Sequence, residues 1–317
     1  MEASDFLHKL AEQASKYAIS LDGQISRDQS PRVRGGNALV YCGTISLEGR
    51  TTTVAIKTVV GATQADMKVM KRVLREAHVW SKLNHPNVLS LLGITTEFDL
   101  TISLVTTWME NGSARTFVQE RYNDPRPLIG DIAAGLHYLH NHPKGPIIHG
   151  DLKGDNVLIA QDGRALLTDF GLSIHLNSSF TMTTHLPCGG SLHWMAPELI
   201  DTTGTGDMRA TVESDAWSFG MTTLELFTGK APYHEQKSIT AILFRILEGQ
   251  PTRPSDEDTN FRMTDEWWAL CSRCWNKKPS RRISMSDSIN LIGQLLASTC
   301  VVFFIQAKLQ HLFVFLD

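Results

Sequence analysis

The residues able to do chemistry fall in a fixed order along the chain. Val54-Ala55-Ile56-Lys57 ends an otherwise apolar run on a lysine, and Glu76 stands nineteen positions later among helix formers. His149-Gly150-Asp151-Leu152-Lys153-Gly154-Asp155-Asn156 follows, then Asp169-Phe170-Gly171, then Ala196-Pro197-Glu198. A lysine grips anionic oxygens as a point charge, and carboxylate and amide oxygens are the ligands that hard divalent cations take. Singly, each group has a plainer reading. A lone lysine at a strand end is usually a solvated edge residue, and a helical glutamate is usually exposed. Asp151, Asp155 and Asp169 beside glycines are also what turns are made of. Only joint order and separation lift them above that background.

Two kinds of element must position these groups. Arg32 to Val60 is rich in Val, Ile, Thr and Gly: Val40 to Leu47 and Thr51 to Val60 read as strands around a Glu48-Gly49-Arg50 turn. Gln64 to Leu83 lacks proline and glycine and reads as a helix, closed by Asn84-His85-Pro86-Asn87. Leu89 to Thr95 and Thr101 to Thr107 read as two more strands. After Asn111-Gly112 the runs turn helical: Leu128 to His140, Glu213 to Thr228, Ile239 to Leu247, Asp265 to Cys274 and Asp287 to Leu296. A strand-rich lobe (32–110) is expected ahead of a larger helical one (111–297).

In order and spacing the motifs resemble the eukaryotic protein kinase family, over about Arg32 to Leu296. The resemblance implies an α+β fold of two lobes: a small antiparallel β-sheet lobe with one main helix, and a larger, mainly helical lobe. It implies transfer of the γ-phosphoryl group of ATP, with Mg2+ or Mn2+, to hydroxyls of protein substrates. In that scheme Lys57 grips the α and β phosphates, and Glu76 holds Lys57, because an unpaired charge in a partly dry cleft is costly. Asp169 and Asn156 hold the metal, Asp151 receives the hydroxyl proton, and Lys153 steadies the γ phosphate. Thr106 guards the deep pocket, Met109 in the link Thr107 to Asn111 offers backbone groups to adenine, and Val40, Ala55 and Leu158 sandwich the ring. Scaffold roles fall to His149, to Asp215 as acceptor from the catalytic loop, and to Arg282 as partner of Glu198. Cys271 and Cys274 have no second ligand pair nearby and read as small buried hydrophobes, not as zinc ligands.

The sequence departs from the family at two places. Where the family's phosphate-covering turn carries three glycines, this chain has Val33, Gly35 and Ala38, which predicts weaker nucleotide binding without abolishing chemistry. Gly150 stands where the family often has an arginine, so capture of a phosphate on the activation segment is not expected to govern activity. Ser178, Ser179, Thr181, Thr183 and Thr184 are that segment's candidates for modification. Lys153 and Ser191 resemble the serine/threonine-specific pattern. Ser214-Asp215-Ala216-Trp217-Ser218-Phe219-Gly220, Trp194-Met195-Ala196-Pro197-Glu198 and Cys274-Trp275 resemble the tyrosine-kinase-like branch, and the loop at 149–154 resembles its fungal members. The alternative is a pseudokinase or signalling scaffold with weak nucleotide binding. A small-molecule phosphotransferase suits the long activation segment less well.

Composition and chain ends set the frame. The chain has 317 residues, 42% of them hydrophobic, and a net charge of -3, which excludes a disordered tail protein and gives no reason to expect a nucleic-acid partner. Five cysteines argue against a disulfide scaffold and, with no secretory signal, for a cytoplasmic setting. Residues 1–31 are expected as a helical extension, with Phe6, Leu7, Leu10, Ala14 and Tyr17 on one face and Asp28 to Pro31 as a turn. The hydrophobic tail 298–317 is read as a terminal helix with a sticky extension, in preference to a membrane anchor or a tail that never folds well. The extension or the tail would receive regulatory protein partners.

Overall fold

The computed structural model describes residues 12, 18–34, 38–47, 49–59, 67–99, 101–120, 123–169, 174–175, 191–200 and 210–298. The face expected from Phe6 to Tyr17, the modification candidates 178–184 and the tail from 299 onward lie outside these residues.

The smaller lobe is an antiparallel sheet. Its strands are β1 (Ile25–Arg27), β2 (Val33–Arg34), β3 (Ala38–Leu47), β4 (Arg50–Val59), β5 (Leu91–Thr95) and β6 (Ser103–Thr107), in the order β1-β3-β4-β6-β5 with β2 beside β3. β3 and β4 pair over their full length around Gly49, whose φ of 77° is left-handed and suits glycine. Val54, Ile56 and Thr58 of β4 bury toward one face, so the two-residue period sends Ala55 and Lys57 to the other. The helix α1 (Met67–Trp80) carries Glu76.

A strap ahead of β2 belongs to this sheet. Ser20 bridges Ile94, Leu21 is buried against Tyr41, Ile45, Val54, Ile56 and Val105, and β1 pairs with β3. Asp22 accepts hydrogen bonds from the Thr95 hydroxyl, the Thr96 amide and the Thr96 hydroxyl, each at 2.8 Å. Arg27 pairs with Asp99 and lies over the rings of Tyr41 and Phe98, 4.0 and 4.5 Å from their centroids. Residues 18–31, which the sequence reading set apart as an extension of helix and turn, therefore form part of the lobe around an extended strand. The physical reason is two glycines. A Cβ on Gly43 would collide with the Ser26 carbonyl, and one on Gly93 would sit 2.8 Å from Leu21 Cγ, so only bare backbone lets the strap lie this close.

The larger lobe begins after Gly112 with the short α2 (Ala114–Phe117) and then α3 (Pro125–His140), which Asp124 caps at the Arg126 amide with proline at the first turn. β7 (Ile147–Ile148), β8 (Val157–Ile159), β9 (Ala165–Leu167) and β10 (Ile174–His175) form two small antiparallel ladders. α4 (Val212–Thr228) starts in a Thr211/Ser214 capping box, ends at left-handed Gly229, and buries 13 of its 17 residues. α6 (Asp265–Cys274) packs against it; α5 (Ile239–Glu248) and α7 (residues 285–298) complete the lobe, with Gly130 of α3 lying against Ile292 and Leu296 of α7. Cys271 and Cys274 of α6 are fully buried, and a Cβ on Gly220 would come within 2.7 Å of Cys274 Cβ. Burial pushes both thiols up, Cys274 to about 12, and among the described residues no three His, Cys, Asp or Glu side chains are grouped to hold a metal. Among the described residues no helix is long and apolar enough to cross a membrane.

The lobes are sewn together behind the cleft. The turn after α1 docks on β9: Val88 bridges Leu167, the Leu89 amide donates to the Leu167 carbonyl at 2.9 Å, and the Leu167 amide donates to the Asn87 carbonyl at 2.9 Å. This contact sets the end of β9, and so Asp169 just beyond it, at a fixed distance from α1.

The strap makes a stability prediction. Gly93→Ala and Gly43→Ala should each lower unfolding free energy in urea by about 1–3 kcal/mol. Gly293→Ala, in open space on α7, should instead raise it by up to about 1 kcal/mol.

Candidate active site

Lys57 is the centre of a chain of charges. Its Nζ donates to Glu76 Oε1 at 2.7 Å and to Asp169 Oδ1 at 2.8 Å. Glu76 is buried, Lys57 mostly so, and Asp169 is 41% exposed, so the Asp169 end of this chain of charges is the one open to solvent. Burial alone would lower the lysine pKa, but the two carboxylates reverse that and hold it above its usual range. Burial likewise works against the ionised Asp169, and the Lys57 charge and hydrogen bond outweigh it, so its carboxyl lies below the usual range. Asp169 also holds a left-handed φ of 64°, a conformation that non-glycine residues keep only where surrounding contacts enforce it.

A second cluster sits on the loop between β7 and β8. Lys153 Nζ donates to Asp151 Oδ2 at 3.1 Å and to Ser191 Oγ at 2.7 Å. Asn156 Nδ2 donates to the Asp151 carbonyl at 2.7 Å and to Asp151 Oδ2 at 2.9 Å. The two clusters join through the backbone, because the Thr168 amide donates to the Asn156 carbonyl at 3.0 Å. Beneath the loop, Asp215 of α4 accepts from the His149 amide at 2.8 Å, the Gly150 amide at 2.9 Å and His140 Nε2 at 2.9 Å. His149 Nε2 lies 3.0 Å from the Thr168 carbonyl oxygen, and its Nδ1 accepts from the Asp151 amide at 3.3 Å. Gly150 has a φ of 77°, so glycine at this position relieves backbone strain of about 1–2 kcal/mol that a side chain would bring.

The residues expected around a purine lie on adjoining strands. Val40 faces Lys57 across the β3–β4 ladder, and Ala55 faces Thr106 across β4–β6. Met109 is partly buried in the link between lobes and its carbonyl accepts from the Gly112 amide at 3.1 Å. Leu158 lies on β8, bridged to Ser113. Val33 pairs with Val40 but is 54% exposed, and Ala38 pairs with Val59 at the start of β3. Gly35 lies outside the described residues.

Oxygen donors remain for a hard cation. Among the described residues, the hydrogen bonds of Asp169 engage Oδ1 and those of Asn156 engage its amide nitrogen. Asp169 Oδ2 and Asn156 Oδ1 are thus left as ligands of the kind magnesium takes, so the donor set fits.

A family model described as protein tyrosine and serine/threonine kinase matches residues 33–292. The chain belongs to this kinase family. It is 30% identical over 254 residues to cell division control protein 7 of Schizosaccharomyces pombe, covering 79% of this chain and 22% of that protein. It is 30% identical over 222 residues to mitogen-activated protein kinase kinase kinase 3 of Arabidopsis thaliana, covering 69% and 32%. Against serine/threonine-protein kinase fray1 of Dictyostelium discoideum the identity is 32% over 241 residues, covering 74% and 40%. The chain thus spans well under half the length of each of these relatives.

The stretch that holds Glu198 is anchored by Arg282. Arg282 grips Glu198 through both nitrogens at 2.6 Å, donates to the Glu213 and Asn276 carbonyls, and lies over the Trp217 ring. Two contributors escaped the sequence reading. Asn87, in the run that closes the first helix, donates through Nδ2 to the Ala165 carbonyl at 3.2 Å. Glu225 accepts from the Gly154 amide at 2.8 Å, and its only sequence signal is a carboxylate between Leu224 and Leu226.

The charge chain predicts a reactivity change. In Glu76→Gln one of the two anions on Lys57 is gone, so the lysine pKa falls toward its usual value. An amine-directed acylating reagent should then modify Lys57 faster than in the parent protein, read by peptide mass mapping at fixed pH.

Proposed function

We propose that the chain is an ATP-dependent protein kinase that phosphorylates serine and threonine hydroxyls of protein substrates. The observation that carries the reading is the joined pair of clusters, with Lys57 between Glu76 and Asp169, and Asp151 held by Lys153 and Asn156. Lys57 binds the α and β phosphates and, already held by Glu76, needs little reorganisation to do so. Asn156 Oδ1 and Asp169 Oδ2 would hold Mg2+, which when bound would supply neutralising charge to the phosphate oxygens. Asp151 orients the substrate hydroxyl through its carboxylate and takes its proton, while the Lys153 ammonium beside it balances charge at the γ phosphate. Val40, Ala55 and Leu158 supply the apolar walls for adenine, Met109 its backbone contact, and Thr106 the limit of the pocket. Val33, Gly35 and Ala38 form a phosphate-covering turn that binds loosely.

Serine/threonine specificity is supported by Lys153 and its 2.7 Å bond to Ser191, and by similarity to relatives such as serine/threonine-protein kinase fray1. Within the family we place the chain in the tyrosine-kinase-like branch, on Ser214 to Gly220, Trp194 to Glu198 and Cys274-Trp275. We take 32–297 as the span that carries the site, its lobes dividing at 110/111, with the strap of residues 18–31 packed on the smaller lobe from outside that span. A cytoplasmic setting accords with the free thiols of Cys42, Cys271 and Cys274.

The test is magnesium-dependent incorporation of labelled phosphate into a generic protein substrate. Asp151→Asn should lower kcat at least 100-fold while nucleotide affinity stays within about threefold, and phosphoamino-acid analysis should give phosphoserine and phosphothreonine. Equal incorporation by both proteins, or none by the parent protein, would sink the enzyme reading and favour a signalling scaffold.

A further inference from the structure

We propose that the larger lobe carries a lipid-docking face, in which an exposed apolar stripe on α5 and four lysines and arginines beyond its end hold the protein on an anionic membrane surface. The inference stands apart from the kinase reading, because none of these residues belongs to either cluster of the site.

The apolar half is a helix with more hydrophobic surface than the lobe uses. α5 buries Ile242 and Ile246. On its other side Ile239 and Phe244 are 69% and 65% exposed, and Leu247 is exposed as well. With the half-buried Leu243 these positions recur at helical spacing and form one stripe, where a surface helix ordinarily carries polar groups. The charges that α5 does carry, Arg245 and Glu248, pair with each other at 2.6 Å.

The basic half follows α6. From Trp267 to Ser286 the sequence holds five lysines and arginines and no aspartate or glutamate. Arg282 turns inward to Glu198. Arg273, Lys277, Lys278 and Arg281 are exposed, and among the described residues none of the four has a carboxylate partner. The carboxylates flanking the run are engaged locally, Glu266 by the Thr264 hydroxyl and Asp287 by the Ser284 hydroxyl. The backbone that displays these cations is fixed: the Lys278 amide donates to Asn276 Oδ1 at 3.0 Å, the Arg281 amide to the Lys278 carbonyl at 2.9 Å, and Arg282 Nε to the Asn276 carbonyl at 3.0 Å. In a chain of net charge -3 this is a local excess of positive charge.

The halves meet at Gly249, which ends α5 with a φ of 126°. A Cβ there would come 3.0 Å from Lys277 Cε and 3.9 Å from its Nζ, so the Lys277 ammonium lies against the end of α5, two residues past Leu247. Large apolar side chains beside lysines and arginines suit the interface of an anionic bilayer: the apolar groups enter the headgroup region and the cations face lipid phosphates and carboxylates. A nucleic acid would use the cations and leave Ile239, Phe244 and Leu247 in water. A protein partner would have to match both chemistries at set positions, whereas a fluid lipid surface adapts to them.

Co-sedimentation of the full chain with vesicles tests the proposal. One set is phosphatidylcholine alone and the other contains roughly 30% phosphatidylserine. Partition onto the anionic vesicles should be at least about tenfold stronger and should weaken as salt is raised. Arg273→Gln, Lys277→Gln, Lys278→Gln and Arg281→Gln together should lower it roughly 100-fold or more, at about fivefold per cation. Phe244→Ser with Leu247→Ser should lower it roughly tenfold. The substituted side chains are exposed, so both variants should keep the parent's urea midpoint; should one lose it, the other decides alone. Equal partition onto both vesicle types, or partition unchanged in a folded variant, would overturn the proposal. Persistence in the fourfold variant would trace binding to the apolar sequence after Ser298. No partition onto either vesicle would also overturn it and leave the face to a protein partner. None of these outcomes depends on whether the protein transfers phosphate.

Discussion

The ammonium of Lys57 is a charge that the interior accepts only in company. It sits at the end of β4 with little access to water, and two carboxylates from different parts of the chain close on it at 2.7 and 2.8 Å. Withdrawing either anion leaves an incompletely compensated charge, so both α1 and the stretch after β9 are held against the sheet. Opposed desolvation and attraction explain why the lysine titrates high and Asp169 low.

The rest of the molecule makes that closure repeatable. The turn after α1 is pinned to β9 through Asn87 and Leu167, which fixes how far Asp169 stands from Glu76. On the far face of the sheet the strap presses Leu21 onto Val54 and Ile56, so β4 is supported from the side opposite its lysine. In the larger lobe α4 serves as a buried post. Asp215 near its start and Glu225 near its end both accept backbone N–H groups of the catalytic loop, ten residues apart on one rigid helix. Buried carboxylates here take the place of regular secondary structure for a loop that has almost none.

Much of the fold was legible because the smaller lobe follows simple periods. Alternation in Val54 to Thr58 marks β4 and already separates Lys57 from the buried face. Helices α3 to α7 begin and end within a few residues of where capping residues and apolar spacing place them. The strap was not legible, because Ile25-Ser26-Arg27 is too short for a pattern and its only trace is the bareness of Gly43 and Gly93, which acquires meaning once strand register is known. At the site, motif order named the residues of both clusters. It did not reveal the direct bond from Lys57 to Asp169, which depends on how two lobes meet. Gly150 read from sequence as a missing arginine, whereas its left-handed backbone gives a local reason for glycine. Glu225 was hidden for the opposite reason, since a charged residue in a helix is ordinarily a surface residue and only burial on all sides makes it exceptional.

The account stands on one cleft in which Lys57 and Asp169 jointly receive a metal-bound triphosphate. Calorimetric titration of the parent protein and of Lys57→Met with ATP, each with and without magnesium, tests this directly. Binding that strengthens when magnesium is added, and that weakens at least tenfold in Lys57→Met under the same conditions, is the predicted result. Affinity unchanged by the metal and by loss of the lysine would contradict it.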